Sequence, residues 1–185
     1  MTYNDFRPLL NMIDPGKIPV FVLVGHPYSG KSTYLDNFFS LPFNKHPTHP
    51  GIIVLESDSY IKDMAQFENT SYDTAFERHG AEANRLYKES VKDEGNMPYD
   101  PGIIIFIDRT NMSVESRRHI IDGFWNRDVH SLIAVVFPIL DDETIQERMK
   151  GRPDQFVPLE IIQSMKAKYE EPTIKEGFDK VMLVT

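Results

Sequence analysis

A chain of 185 residues with 41% apolar content, 12 Phe and 8 Tyr has enough hydrophobic side chain for a core, which excludes disorder and fits one domain over 1–185. With no cysteine, neither a disulfide framework nor a thiolate metal centre is available. A net charge of −8 opposes a broad basic surface for coating nucleic acid, while leaving room for a narrow basic funnel to one end or one base. The opening "MTYNDFRPLLNMIDPGK" has no basic region followed by an apolar run, as a secretory leader would. No apolar run approaches the ~20 residues needed to cross a bilayer. The expectation is a cytoplasmic protein (host cytoplasm if viral) without a membrane partner, its oligomeric state open.

Apolar runs predict strands at Pro19–Val24, Ile52–Glu56, Ile103–Asp108, Leu132–Phe137 and Lys180–Val184. Their near-continuous Val, Ile, Leu and Phe content suits strands covered on both faces. Helical patterns alternate with them: Lys31–Phe39, Thr74–Asp93, Val114–Trp125, Glu143–Lys150 and Leu159–Tyr169. The second carries Ala75, Phe76, Ala83, Leu86, Tyr87 and Val91 at helical spacing, and in the third Ile121, Phe124 and Trp125 are expected to pack on the sheet. Ser113 is placed as an N-cap, and Asp141, Asp142 and Glu143 put acid at a helix N-terminus, where the dipole favours it. The pattern predicts an α/β doubly wound parallel sheet of about five strands with helices on both faces.

Between the first strand and helix lies "GHPYSGKS", Gly25 to Ser32, which fits G-x-x-x-x-G-K-[ST] without mismatch. In that strand–loop–helix setting, the glycines let backbone N–H groups turn inward on phosphates, and the helix aims its positive end at the same anion. The segment is read as a P-loop: Gly25, His26, Pro27, Tyr28, Ser29, Gly30, Lys31, Ser32 and Thr33 surround the phosphates of ATP. Lys31, solvated before nucleotide arrives, reaches the β- and γ-phosphates, and Ser32 ligates Mg2+.

Segments beyond the loop narrow the class. "FNKHPTH" lacks the Asp of a GTPase base-reading motif and comes too early. "IIIFIDRTN" places Asp108 before Arg109, without the second acid that polarises water in motor ATPases. A hydroxyl acceptor, hence a kinase, fits better. Asp58, after the strand in "IIVLESDSY", can orient an attacking hydroxyl, or can merely cap the following helix. Asp108 can hold Mg2+ or position the acceptor, or can be a turn residue. Arg148 and Arg152, in "IQERMKGRPDQFVP", can clamp charge developing on the phosphoryl group from a small lid, although cations also suit a helix C-terminus for dipole reasons alone. The histidines, including His46 and His49, show no metal-ligand spacing.

These segments together resemble the P-loop polynucleotide kinase family, which includes 5′-kinase domains and DNA kinases of bacteriophages. "GHPYSGKST", "ESDSY", "IDRTNMSVESRR", "ERMKGRPDQFVPLEIIQSM" and "EEPTIKEGFDKVMLV" carry the likeness, from about Val20 to the C-terminus. The resemblance implies a P-loop kinase-like fold, ATP and Mg2+, Asp58 as general base, Arg152 as lid arginine, and Asp108, Thr110 and Asn111 near the acceptor. The family's acceptor-phosphate arginine falls at Ile61, so Lys62, Arg117 and Arg118 are the cations left to replace it, and Tyr28 stands where a small residue is commoner. The expected activity is transfer of the γ-phosphoryl of ATP to a nucleic-acid hydroxyl, DNA before RNA: a 5′-OH end or the hydroxymethyl group of a modified base such as 5-hydroxymethyluracil. A small-molecule nucleoside or nucleotide kinase and a non-catalytic nucleotide-dependent switch are the alternatives.

Overall fold

The computed structural model of the chain describes residues 3–41, 51–100, 102–151 and 157–184. Five strands, β1 (Ile18–Val24), β2 (Gly51–Leu55), β3 (Ile103–Asp108), β4 (His130–Val136) and β5 (Lys180–Leu183), pair in parallel in the order β2-β3-β1-β4-β5. Each boundary lies within two residues of the sequence expectation. All carboxyl ends therefore share one edge, and central β1 is where successive connections leave toward opposite sides, the place where such sheets bind ligands.

The helices are α1 (Tyr3–Leu10), α2 (Lys31–Phe39), α3 (Asp58–Glu68), α4 (Tyr72–Gly95), α5 (Val114–Gly123), α6 (Asp142–Lys150) and α7 (Leu159–Ala167), followed by a 3-10 turn at Ile174–Glu176. Side chains alternate across a strand, so the sheet has two apolar faces. Val20, Val22, Ile105, Ile107, Leu132 and Ala134 meet Tyr87 and Val91 of α4 and Ile120 of α5. Phe21, Leu23, Phe106, Ile133 and Val135 meet Phe6 and Leu9 of α1 and Tyr34, Leu35 and Phe38 of α2. A smaller cluster, Ile61, Ala65, Ala75 and Ala83, glues α3 to α4. The expected double covering of a parallel sheet is the observed architecture.

The caps follow the sequence signals. Ser113 and Ser116 form a capping box at α5, and Asp141 accepts from Thr144 N at 2.7 Å at the start of α6. Two helices, α1 and α3, lie outside the five predicted from periodicity. α1 is short with an internal Pro8, but its ring contacts from Phe6 to Tyr34 (4.8 Å) and Phe38 (5.4 Å) tie it to α2. α3 starts on Asp58 itself: Ser57 is the N-cap residue and makes no side-chain cap bond, so Asp58 is not the cap.

Two aromatic expectations are corrected. Trp125 is 66% exposed because α5 ends at Gly123 and the backbone turns out of helical geometry at Phe124, which is itself fully buried. Phe76 is 56% exposed and stacks on Tyr72 across the surface of α4. Among the described residues, no helix is long and apolar enough to cross a membrane.

Candidate phosphoryl-transfer site

The loop leaving β1 is built for an anion. Gly25 N donates to Thr110 O at 2.9 Å, pinning the loop's start to the segment after β3. A Cβ on Gly25 would meet Ser29 Oγ at 2.6 Å and Phe137 Cβ at 3.0 Å, so only glycine fits that crossing. Gly30 turns into α2 with φ 109 and leaves its N-terminus without a side-chain cap or an acid in the first turn. The positive end of the α2 dipole is thus not compensated by a side chain. Ser29 Oγ is buried and has no hydrogen-bond partner among the described residues, an acceptor-seeking hydroxyl in the same cradle. These features fit nucleotide phosphates.

Lys31 is not solvated as expected: it is 9% exposed, and Nζ donates to Gly25 O at 2.7 Å and His26 O at 3.0 Å. The lysine folds back over its own loop because those carbonyls lie inside the turn. His26 is fully buried, and Leu140 N donates to its Nε2 at 3.1 Å. Nε2 must therefore carry the lone pair and Nδ1 the proton, which is given to Pro27 O at 2.6 Å. Burial, ahead of the nearby cations, lowers the His26 pKa and keeps this neutral tautomer. In the first turn of α2, Ser32 is half-buried and Thr33 is exposed.

The acids converge from two strand ends. Asp108 closes β3, and burial raises its pKa; Lys31 opposes that shift and Asp58 adds to it. Lys31 and Asp58 thus both act on Asp108 at the carboxyl edge of the sheet. Glu56 belongs to the same group: burial and then Asp108 raise its pKa, while Lys62 lowers it. Sequence reasoning passed over Glu56, although it stands two residues before Asp58. Among the described residues, no group of three or more acids or histidines is arranged to cage a metal. Ser32 and Asp108 instead suit Mg2+, which keeps waters and phosphate oxygens and asks little of the protein.

The fold with this loop has known counterparts. A family profile described as AAA domain matches residues 20–172. The chain belongs to the AAA domain family. Comparison with curated proteins finds no match. A presumed kinase of Chloroflexus aurantiacus aligns at TM-score 0.58 and 16% identity, over 92% of this chain and 86% of that one. Kti12 of Chaetomium thermophilum, solved with ADP-AlF3, aligns at 0.57 and 14%, over 89% and 88%. A structure from the PezAT toxin–antitoxin system of Streptococcus pneumoniae aligns at 0.54 and 14%, over 99% and 77%. The AAA domain therefore has a P-loop kinase-like fold.

On the acceptor side, this AAA domain departs from the sequence expectation. Arg117 is fully buried, with Nε and Nη2 on Glu176 Oε2 and Oε1 at 2.8 and 2.9 Å and Nη1 on Asn111 O at 2.9 Å. Its guanidinium is consumed inside the protein and does not face an acceptor. Asn111 is likewise buried, with φ 48, and its Nδ2 donates to Leu23 O at 2.8 Å, tying the β3 end to β1. Thr110 contributes its carbonyl to Gly25. Ile61 is 1% exposed in the α3–α4 cluster, so the place of an acceptor-phosphate arginine is core. Lys62 and Arg118 are exposed. Arg148 reaches the P-loop, donating from Nη1 to Tyr28 O at 2.8 Å. Arg152 lies outside the described residues, as do His46 and His49.

Proposed function

We propose that this AAA domain is an ATP- and Mg2+-dependent phosphotransferase that moves the γ-phosphoryl group to an alcohol, here a hydroxyl of a nucleic acid. The observation that carries the reading is the convergence of Asp58, Asp108 and Lys31 beside a cradle shaped for phosphates. A protein that only binds nucleotide does not need a half-buried carboxylate at the start of α3 acting on Asp108.

In this reading Asp58 accepts or orients the proton of the attacking hydroxyl. Lys31 leaves the Gly25 and His26 carbonyls for the β- and γ-phosphates, and Arg148, with Arg152, meets charge on the transferring group. Mg2+, when bound through Ser32 and Asp108, neutralises phosphate charge. Catalysis is then positioning and electrostatics more than covalent chemistry.

The resemblance to polynucleotide kinases supports a nucleic-acid acceptor, DNA before RNA, held by Lys62 and Arg118. Burial of Ile61 removes the clamp a 5′-terminal phosphate would use, which favours a base hydroxymethyl group over a strand end. A small hydroxylic molecule is the second reading, favoured by the internal pairing of Arg117. Single-turnover transfer from γ-labelled ATP to 5′-OH DNA, 5′-OH RNA, hydroxymethylated duplex and nucleosides separates these readings. Label on none of them, with intact ADP binding, would favour the nucleotide-dependent switch.

A further inference from the structure

Tyr28 sits at the tip of the phosphate loop in the left-handed region, with φ 65. That conformation disfavours a bulky residue, so a tyrosine here asks for a reason. Its two polar groups supply one. The carbonyl accepts from Arg148 Nη1 at 2.8 Å, and the phenol oxygen accepts from Val157 N at 3.1 Å. Arg148 lies in the last turn of α6, and Val157 stands two residues before α7. One residue of the loop thus contacts both the last turn of α6 and the entry to α7.

The neighbouring cations show why this matters. Lys150 pairs with Glu147 and Lys166 with Asp142, so carboxylates already hold their charges. Arg148 is held by a backbone carbonyl, which orients the guanidinium without cancelling its charge. Its Nη1 lies 3.7 Å from where a Cβ on Gly30 would be, directly beside the start of α2. A small residue at position 28 could offer the carbonyl, but only a long side chain ending in an acceptor reaches Val157 N.

We propose that Tyr28 is a positioning residue: its phenol, anchored on Val157 N at the entry to α7, fixes the backbone carbonyl that holds Arg148 beside the phosphate loop. The inference rests on the phosphotransferase reading for its catalytic consequence, but its structural part stands on ADP binding alone. Tyr28→Phe removes the hydroxyl that accepts from Val157 N and keeps the ring; Tyr28→Gly removes the whole side chain while keeping a residue suited to the left-handed turn.

The test measures ADP·Mg2+ affinity by calorimetry, single-turnover transfer on the best acceptor, and hydrogen exchange of the Val157 amide. Tyr28→Phe should expose that amide to exchange and weaken ADP by roughly fivefold, the size of one hydrogen bond, with an unchanged melting temperature. Tyr28→Gly should match it. In an Arg148→Ala background, Tyr28→Phe should change ADP affinity less than about twofold, because the residue it positions is gone. Additive effects of the two substitutions, or a Val157 amide equally protected in Tyr28→Phe, would overturn the proposal. A wild-type protein that binds ADP but labels no acceptor would refute the phosphotransferase reading instead, leaving the affinity cycle to decide on Tyr28.

Discussion

Arg117 and Glu176 form a two-pronged ion pair, at 2.8 and 2.9 Å, that locks α5 to the turn before β5. The arginine is fully buried, and its third contact, to Asn111 O, carries the lock to the end of β3. Glu176→Ala should therefore leave an uncompensated internal charge and destabilise the fold by about 3–5 kcal/mol in denaturant titration. Arg118→Ala, one residue away and exposed, should stay within about 0.5 kcal/mol of wild type. A stability loss of the same size in both would contradict the pairing.

The phosphate loop gives the second expectation. Lys31→Met keeps length and apolar stem, and it relinquishes the bonds to the Gly25 and His26 carbonyls. Transfer should be lost on the order of 10³-fold or more, as for removal of a principal electrostatic group, while the circular dichroism spectrum remains native. Near-normal turnover in the folded variant would remove Lys31 from the chemistry.

Asp58→Asn separates chemistry from folding. Asp58 is the first residue of α3 and not its cap, so the near-isosteric amide should leave the melting temperature almost unchanged. Rate should fall by roughly 10²-fold or more if the carboxylate handles the acceptor proton. Equal kcat in the two proteins would reduce Asp58 to an acid serving the start of α3.

Gly95 near the end of α4 and Gly123 at the end of α5 cross with backbones in direct contact: a methyl on Gly95 would overlap the Gly123 carbonyl. Gly95→Ala should cost about 1–3 kcal/mol as the helices are forced apart, despite alanine's better helix propensity. Gly51→Ala, where the added carbon has ordinary clearance at 3.7 Å from its nearest neighbour, is the matched control.

Acidification should loosen the loop. Burial, first among the causes, lowers the pKa of His26, His130 and His119, the last to about 4. Each folded pKa lies below the unfolded value of about 6.5, so the stability held by the neutral rings is complete above that pH. It is lost as pH falls toward the folded values. Raised carboxylates such as Asp108 and Glu56 act in the opposite direction, in a window beginning near their ordinary values. As pH falls from about 7.5 to 5, into the histidine window below about 6.5, the melting temperature should therefore fall. ADP affinity should fall with it, since a protonated Nε2 no longer accepts from Leu140 N. His26→Gln, whose amide oxygen can accept that bond, should flatten the affinity profile. An unchanged slope would show that His26 is not the group that titrates.

The sequence alone determined what is local. Apolar runs announced all five strands, most plainly β1, β3 and β4, because a strand covered on both faces has little polar alternation to hide it. The P-loop was legible because Gly25, Gly30, Lys31 and Ser32 act through backbone geometry and a helix start, all within one short segment. The tertiary structure decided what depends on distant partners. Whether Arg117 is a surface cation or an internal strut depends on Glu176, 59 residues on, which no helical spacing reveals. Ile61 became core only because Ala75 and Ala83 of another helix cover it. Trp125 went to solvent because the helix stopped two residues earlier, at a glycine pressed against α4. A side chain's local pattern states what it can do; the elements packed against it decide whether water, protein or substrate receives it.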